Sequence, residues 1–252
     1  MKKDPLVSII VPNFNGAKFL GQCIDSVLAQ SYRNWELLIC DDNSTDDSLE
    51  VITCFDDARI PPPIILTENK GAAVARNECI QAAKGEYIAF LDNDDYWHPK
   101  KLEKQLHFMS RNNYHFTYTD YIQFSEHYEK SVACKKHVSR RIMLRNNYIL
   151  TSTAMYKAAA IGKIYMSDIR KRQDWSLFLN ILDQTKKAYN LSEPLAYYRK
   201  HSRSLSSKKL GLLKYTYDFY HKVLGFGKFM TIIMVMQYLM YYFVKKIKER
   251  FL

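Results

Sequence analysis

One strand-like run, YIAFLDNDD at residues 87–95, passes from apolar side chains into three carboxylates within four residues. Crowding that many like charges raises their pKa values and costs stability unless a cation offsets them. A strand that ends by presenting Asp92, Asn93 and Asp94 therefore predicts a site for a hard divalent metal that carries a phosphate ligand. Taken alone, the same pattern is typical of a solvated acidic turn, so the surrounding sequence has to decide between the two.

Strand-like and helix-like segments alternate around this run. The apolar strand-like segments lie at 7–11, 36–40, 63–67 and 87–91. Between them, apolar residues recur at helical spacing, as at Leu20, Ile24 and Val27, and a further helix is expected to begin at Pro99. This alternation predicts an α/β fold with a mostly parallel, Rossmann-like central sheet and helices on both faces.

Polar residues follow three of these strands, at 12–15, 41–44 and 92–95. Ligands of such sheets bind beyond the carboxyl ends of the strands, so the three segments are expected to meet at one edge. Ser44, three residues before Asp47, is expected to cap the helix after the second strand. Three polar clusters at one edge favour a binding site over an isolated acidic turn.

The sequence after residue 110 is less regular. It predicts a strand at 115–121, a helix at 173–182 and a basic, hydroxyl-rich loop at 195–207. The final segment, 210–252, is predicted to be helical with a break near Gly225.

The net charge of +11 conceals an asymmetry between the two halves of the chain. Residues 1–110 carry 11 Lys and Arg against 17 Asp and Glu, whereas residues 111–252 carry 26 against 9. An acidic front half argues against a nucleic-acid-binding protein, whose basic surface would surround its recognition motif. The basic rear half suits an anionic partner such as a membrane surface.

The cysteines and the first residues bear on the compartment. Five scattered cysteines without a C-x-x-C pair predict reduced thiols, most of them in the core. The first residues lead directly into a strand, so we expect no signal peptide and a cytoplasmic protein.

An ordered set of motifs resembles the family 2 glycosyltransferases. These motifs are VSIIVPNFN at 7–15, SVLAQSY at 26–32, DDNSTD at 41–46, NKG at 69–71, ARN at 75–77 and GEYIAFLDNDDYW at 85–97. The resemblance covers about residues 6–207 and is densest before residue 105. It implies a GT-A fold and an inverting transfer of a hexosyl or N-acetylhexosaminyl group from a nucleotide diphosphate, with UDP as the expected nucleotide.

The resemblance assigns four residues to the nucleotide. Asp42 matches the acidic residue that accepts a hydrogen bond from the nucleobase. Pro12 and Asn15 lie on the loop expected to pack against the base and ribose, and Arg76 matches a position near the base and donor. Asp42 as a turn residue at a helix cap, and Arg76 as an ordinary ion-pairing arginine, remain alternatives.

The same resemblance divides the acidic run into separate roles. Asp92 matches the ribose-contacting position and Asp94 the ligand of Mg²⁺ or Mn²⁺. Asn93 is expected to bind the nucleotide sugar, and Asp95 to support the metal shell or the donor sugar. The metal would bridge the donor's diphosphate and stabilise charge on the leaving group.

The acceptor side is expected to supply a base, because inversion requires a proton acceptor opposite the leaving diphosphate. In the family this base is the Asp of a Glu-Asp pair at the start of a late helix. Here the pair reads Gln173-Asp174, so the first acid is replaced and Asp174 keeps the position of the base. A favourable charge at a helix N-terminus is the alternative role for Asp174.

A basic segment at 195–206 resembles the one that follows the base helix in relatives. Arg199 is expected to neutralise the diphosphate, and His201 to complete the metal shell or contact phosphate. A solvated cationic loop is the alternative. These assignments predict a catalytic domain over 1–207, with a nucleotide-binding half at 1–110 and an acceptor-side half at 111–207, followed by a helical segment at 208–252.

The apolar run at 229–244, followed by Lys245 and Lys246, predicts an interfacial helix on anionic lipid at the cytoplasmic face of the membrane. Its sixteen residues are fewer than the roughly 20 that span a bilayer. A helix packed on the catalytic domain or on a second copy, or a membrane anchor, are alternatives. Attachment to the membrane would suit a lipid-linked acceptor, although a soluble glycan remains open.

The leading hypothesis is thus a metal-dependent glycosyltransferase of surface polysaccharide or lipopolysaccharide synthesis. A sugar nucleotidyltransferase is one rival, although residues 13–16 lack the glycine-rich, basic phosphate loop that this class needs. A membrane-associated nucleotide-sugar-binding protein without catalysis is another, motivated by Gln173.

Overall fold

Ten strands form one sheet in the part of the chain that the computed structural model describes, which is residues 4–169, 171–200 and 209–251. The strands are β1 (Val7–Asn13), β2 (Trp35–Asp41), β3 (Ile64–Ile65), β4 (Tyr87–Phe90), β5 (Tyr96–Trp97), β6 (Phe116–Phe124), β7 (Glu129–Val132), β8 (His137–Ser139), β9 (Met155–Tyr156) and β10 (Lys187–Arg199). The helices are α1 (Ala17–Leu28), α2 (Ser48–Thr53), α3 (Ala72–Ala82), α4 (Lys101–Asn112), α5 (Arg140–Met143), α6 (Ala158–Ile161), α7 (Gln173–Thr185), α8 (Lys209–Asp218) and α9 (Lys228–Phe251).

The sheet has a parallel half and a mixed half. Its strand order is β3-β2-β1-β4-β9-β6-β10-β5, with β7 added to β6 and β8 to β10. β1 pairs in parallel with β2 and β4, and β2 pairs in parallel with β3. β9 runs antiparallel between β4 and β6, whereas β6 and β10 are parallel. The predicted parallel arrangement therefore holds through the front half, and the irregular rear half reflects the antiparallel insertions.

The central strands are apolar on both faces because helices cover both. In β1, Val7, Ile9 and Val11 pack toward α1 and α4, whereas Ile10 packs toward α3 and α7. The same alternation recurs in β2 and β4, whose side chains are divided between the two cores. Burial on both faces explains why these strands read as continuous apolar runs.

Two local predictions were wrong. The segment Leu195–Arg199, predicted as loop, is the end of β10. Its register against β6 shifts between Leu191 and Ala196, and Pro194 sits at this irregularity, so the alternation that marks a strand is interrupted. Ser44 does not cap α2, since that helix begins at Ser48 and the Ser44 hydroxyl donates to Asp41 instead.

The C-terminal segment is helical with the expected break. α8 leads into a π-helical turn (Phe219–Val223), and Gly225, at φ +68°, separates that turn from α9. One face of α9 packs on the rest of the molecule, because Met234 and Tyr238 belong to the core that contains Trp175. Within the described ranges, none of the helices is both long enough and apolar enough to cross a bilayer.

The approach of Gly85 to β1 gives a test of the fold. A Cβ at Gly85 would lie 2.5 Å from the backbone nitrogen of Ser8 and 2.8 Å from the carbonyl oxygen of Leu6. We expect Gly85→Ala to lower the free energy of unfolding by about 1–3 kcal/mol through overpacking, measured by urea denaturation. Gly21→Ala is the matched control, because its Cβ would be 3.9 Å from the nearest atom and alanine favours the interior of α1. Equal stabilities of the two variants would contradict this packing.

Candidate functional site

Three strand ends meet at the side chain of Asn13. Its Nδ2 donates to the carboxylate of Asp41 at 2.7 Å and to the Ser44 hydroxyl at 3.2 Å. Its Oδ1 accepts from Nδ2 of Asn93 at 2.6 Å. The amide of one residue at the end of β1 thus joins the segments after β2 and β4. The predicted convergence at the carboxyl edge of the sheet is confirmed.

The loop after β1 is held by the segment after β2. Its successive backbone N–H groups donate from Asn15 to Ser44 Oγ (2.9 Å), from Gly16 to Ser48 Oγ (3.1 Å) and from Ala17 to Asp46 Oδ2 (3.0 Å). Burial raises the pKa of Asp46, but its hydrogen bonds from Ser48 and Ala17 outweigh this and leave the pKa lowered. Because these N–H groups already have acceptors, the loop does not form a phosphate cradle of the kind that nucleotidyltransferases need.

Pro12 and Asn15 differ in their surroundings. Pro12 was expected on the loop, but it lies inside β1, is buried and pairs with Cys40. Asn15 is on the loop, exposed, with a left-handed φ of +49° that asparagine tolerates. Its Oδ1 accepts the backbone N–H of Thr45 at 2.8 Å. Of the two, Asn15 alone presents its side chain at the edge of the sheet.

Asp42 ties the start of α3 to the end of β2. Its side chain is almost fully buried, with 2% exposure, and its two oxygens accept the backbone N–H groups of Lys70 and Gly71, each at 2.7 Å. Gly71 adopts a φ of +91° that favours glycine. Each carboxylate oxygen keeps a second lone pair, so this structural role is compatible with the predicted contact to a nucleobase.

Arg76 and Asp92 form a largely buried ion pair. Nη2 of Arg76 lies 2.5 Å from Oδ1 of Asp92, and the side chains are 9% and 27% exposed. Arg76 projects from α3, whereas Asp92 begins the turn after β4. Arg76 is therefore an ion-pairing arginine, as the alternative prediction stated. Its partner, Asp92, is itself a predicted donor-site residue.

The acidic turn after β4 is supported from behind by Ser152. The Ser152 hydroxyl accepts from the backbone N–H of Asp92 at 3.2 Å and donates to Oδ2 of Asp95 at 2.5 Å. Burial, followed by the charges of Asp92 and Asp94, raises the pKa of Asp95 well above its usual range. Asp95 is thus an internal support of the turn, and it is Asp92 and Asp94 that remain partly exposed.

Arg199, at the end of β10, binds the same acidic turn. Its backbone N–H donates to Asp95 at 2.9 Å and its Nε donates to the carbonyl oxygen of Asp94 at 3.0 Å. Its guanidinium also donates to Gln22 and stacks between Phe19 and Phe124, at 4.3 and 4.5 Å from the ring centroids. The residue expected to neutralise a diphosphate is therefore engaged with the acidic turn itself.

The residues of the acidic turn fit a divalent metal bound together with a substrate. Carboxylate oxygens suit Mg²⁺ and Mn²⁺, and Asp94 is half-buried. Across the described residues, no three Asp, Glu, His or Cys side chains gather closely enough to hold a metal by themselves. Mg²⁺ commonly takes one or two carboxylates and completes its shell with substrate phosphates and water. His201, the other predicted ligand, lies outside the described residues.

Asp174 lies in the first turn of α7 and is electrostatically connected to the donor side. Its Oδ2 accepts from Nδ2 of Asn147 at 2.7 Å. Burial raises its pKa, whereas the backbone N–H of Trp175 and the charges of Arg76 and Arg172 act in the opposite direction. Asp92 also contributes, by raising it. The charges of Arg76 and Asp92 thus act on the candidate base.

A cavity of about 330 Å³ lies between the two halves of this site. Its walls are Asn69, Lys70, Gly71, Ala72, Ala73, Asp168, Ile169 and Gln173. It reaches from the turn that binds Asp42 to the residue before Asp174. Gln173, where the family has an acid, therefore faces the space between the predicted nucleotide and acceptor regions.

Three residues of the site had no predicted role. Asn13 lies in the polar segment 12–15 that was expected at this edge, but no contact was predicted for it. Ser152 and Asn147 come from the segment before β9, which has no regular period, so nothing in the sequence indicated that they contact Asp95 and Asp174.

Comparison with solved structures shows the fold. The Staphylococcus aureus TarS fragment 1–349 in complex with UDP-GlcNAc matches with a TM-score of 0.73 at 19% identity, over 92% of this chain and 71% of that chain. The mannosyltransferase PcManGT from Pyrobaculum calidifontis in complex with GDP-Man and Mn²⁺ matches with a TM-score of 0.67 at 17% identity, over 94% and 70%. The expected GT-A fold is confirmed.

Comparison of sequences shows the family. The UDP-Glc:alpha-D-GlcNAc-diphosphoundecaprenol beta-1,3-glucosyltransferase WfaP of Escherichia coli is 38% identical over 207 residues, which are 81% of each chain. The sequence model of Glycosyl transferase family 2 matches residues 8–191, from the second residue of β1 into β10. With this match across most of its length, the chain is a glycosyltransferase and belongs to family 2.

Proposed function

We propose that this protein transfers a sugar, with inversion, from a UDP-sugar to a lipid-linked acceptor in the synthesis of a surface polysaccharide. The observation that carries the proposal is the cavity of about 330 Å³ that Gln173, the residue before Asp174, lines together with Lys70 and Gly71, whose backbone N–H groups bind Asp42. This arrangement supports a site in which the candidate base and the candidate nucleobase carboxylate serve one reaction. The names of relatives support the substrates, since WfaP is named for UDP-Glc and a diphosphoundecaprenol acceptor, and TarS binds UDP-GlcNAc.

The donor end of the reaction follows from the acidic turn and α3. Asp42 would take the imide hydrogen of the base, Asp92 the ribose, and Asp94 the metal. Mn²⁺ or Mg²⁺, when bound, would stabilise the negative charge of the departing diphosphate. Mn²⁺ accompanies GDP-Man in PcManGT. Arg76 would keep the Asp92 carboxylate oriented at the ribose while adding positive charge to the phosphate region.

The acceptor end follows from Asp174. Its deprotonated carboxylate would take the proton of the acceptor hydroxyl as that oxygen bonds to the anomeric carbon and the diphosphate departs. Burial raises the pKa of Asp174, which makes it a stronger base than a solvated aspartate. Asn147 donates to one of its oxygens, and the other would accept the proton. Activity should fall as pH drops through this pKa, because the base is then protonated.

Asp174→Asn separates the enzyme from the non-catalytic binding protein that Gln173 suggests. We expect the variant to bind UDP and metal as the parent does and to lose transfer by about 10²–10⁴-fold, because an amide cannot accept the proton. Calorimetry with UDP and Mn²⁺ measures binding, and product formation from a panel of UDP-sugars with a diphosphoundecaprenol acceptor measures transfer. The control is Asp25→Asn, an exposed carboxylate of α1. An active Asp174→Asn variant would refute the role of the base, and a parent that binds UDP but never turns over would favour the binding protein.

Asp94→Ala tests the metal assignment. We expect the Mn²⁺-dependent part of UDP affinity to disappear, because the variant lacks the carboxylate that would hold the metal against the diphosphate. Titrations of UDP with and without Mn²⁺ should differ by at least about tenfold in Kd for the parent and converge for the variant. Asp25→Ala controls for loss of a surface charge. If Asp94→Ala kept the full metal dependence, the metal would have to bind elsewhere.

We further propose that the outer face of α9 lies on an anionic membrane at the cytoplasmic side. The face consists of Phe229, Ile232, Met236 and Met240, which are 78%, 51%, 60% and 68% exposed. Four basic residues follow in the sequence between 245 and 250. An apolar helical face beside a basic cluster is the composition of an interfacial helix, and a lipid-linked acceptor would be delivered there.

Charges on this face test the membrane proposal. We expect Met236→Glu with Met240→Glu to weaken binding to phosphatidylglycerol vesicles by at least about tenfold, because two apolar side chains can no longer be buried. Gln81→Glu with Gln184→Glu makes the same change of charge at exposed sites elsewhere and should bind nearly as the parent does. Unchanged flotation of the Met variant would refute the proposal. A parent dimer that this variant dissociates, without any vesicle binding by the parent, would assign the face to a second copy.

A further inference from the structure

Arg172 connects the start of α7 to the C-terminal helices. Its Nη2 donates to the hydroxyl of Thr216 on α8 at 3.1 Å and to the hydroxyl of Tyr238 on α9 at 2.8 Å. Its guanidinium carbon also lies 5.2 Å from the ring centroid of Trp175 and 4.9 Å from that of Tyr238. One side chain therefore connects the start of α7 with both C-terminal helices.

The backbone of Arg172 is in a conformation that needs external support. Its φ is +72°, in the left-handed region that a residue with a Cβ seldom occupies. Such a residue persists only where the surrounding structure determines its geometry. The hydrogen bonds to Thr216 and Tyr238 supply this support from one side, and the Arg172 carbonyl accepts the Ser176 N–H at 3.0 Å from the other.

This strained residue stands immediately before Gln173 and Asp174. Because α7 begins at Gln173, the direction of its first turn depends on the backbone of Arg172. Asn147 donates a hydrogen bond to the Asp174 carboxylate. Small displacements of the first turn would therefore move the carboxylate relative to both Asn147 and the acceptor.

We propose that Arg172 is a positioning residue for Asp174, and that α8 and α9 belong to the catalytic unit because they hold Arg172 in place. This inference rests on the proposed role of Asp174 as the acceptor-side base. It assigns to the inner face of α9 a function in the reaction, separate from the membrane contact proposed for its outer face.

Charge supplies a second way to observe the same link. The charged groups that act on Asp174 are Arg76 from α3, Arg172 from its own segment and Asp92 from the turn after β4. The two arginines lower its pKa, and Asp92 raises it together with burial. Removing the charge of Arg172 should therefore raise the pKa of Asp174. In the pH–rate profile, the acid limb, where activity falls as the pH drops, should then move to higher pH.

Removing the hydroxyl of Tyr238 tests whether Arg172 positions Asp174, and it does so without removing a charge. We expect Tyr238→Phe to lower kcat for sugar transfer by about 10- to 100-fold while the KM for the UDP-sugar stays within about twofold, because the base is displaced and the donor site is intact. The control is Tyr220→Phe, which removes a phenolic hydroxyl from the same aromatic cluster around Trp175. That hydroxyl donates to the carbonyl of Leu144, so its loss should reduce stability and leave kcat unchanged.

Two substitutions of Arg172 separate geometry from charge. Arg172→Lys keeps a positive charge and loses the planar fork, so kcat should fall while the acid limb stays in place. Arg172→Met should lower kcat and also move the acid limb upward. Normal kcat in both Tyr238→Phe and Arg172→Lys, with Asp174→Asn inactive, would overturn this inference and leave the base assignment standing. A fully active Asp174→Asn variant would overturn both.

Discussion

Three carboxylates in four residues at the end of β4 are the constraint around which the site is built. Arg76 neutralises Asp92 from α3, while Ser152 and the backbone of Arg199 bind Asp95, which is buried. Each support comes from a different part of the chain, namely α3, the segment before β9 and the end of β10. These contacts offset the like-charge repulsion that would destabilise an isolated turn.

The front of the molecule could be predicted because its signals are local. Continuous apolar strands, helical spacing between them and polar residues at strand ends determine the parallel sheet and its ligand edge. The joining of the three strand ends by Asn13 follows from that arrangement. The assignment of Asp42 to a nucleobase came from the family resemblance, and no local pattern would have revealed that its oxygens also secure the start of α3.

The rear of the site could not be predicted because its contacts are made between segments without a period. Nothing in the sequence distinguishes Ser152 and Asn147 from other polar residues. They matter because Ser152 contacts Asp95 of the acidic turn and Asn147 contacts Asp174 of α7 in the folded chain. Arg199 shows the same limit in another way. Its positive charge suggested a phosphate contact, whereas its guanidinium is stacked between two phenylalanines and bound to the Asp94 backbone. The sequence shows the charge of a residue, but it does not show which groups of the folded protein already contact that charge.

The two faces of α9 give the C-terminal helices a place in the same architecture. The inner face supplies Tyr238 to Arg172 and to the core around Trp175, and the outer face exposes Phe229 and Met236. A helix that only attached the protein to lipid would need no polar contact with the start of α7. A helix that only completed the core would not expose a continuous apolar row. The combination is explained if the helix that brings the enzyme to its acceptor also holds the residue that aligns the base.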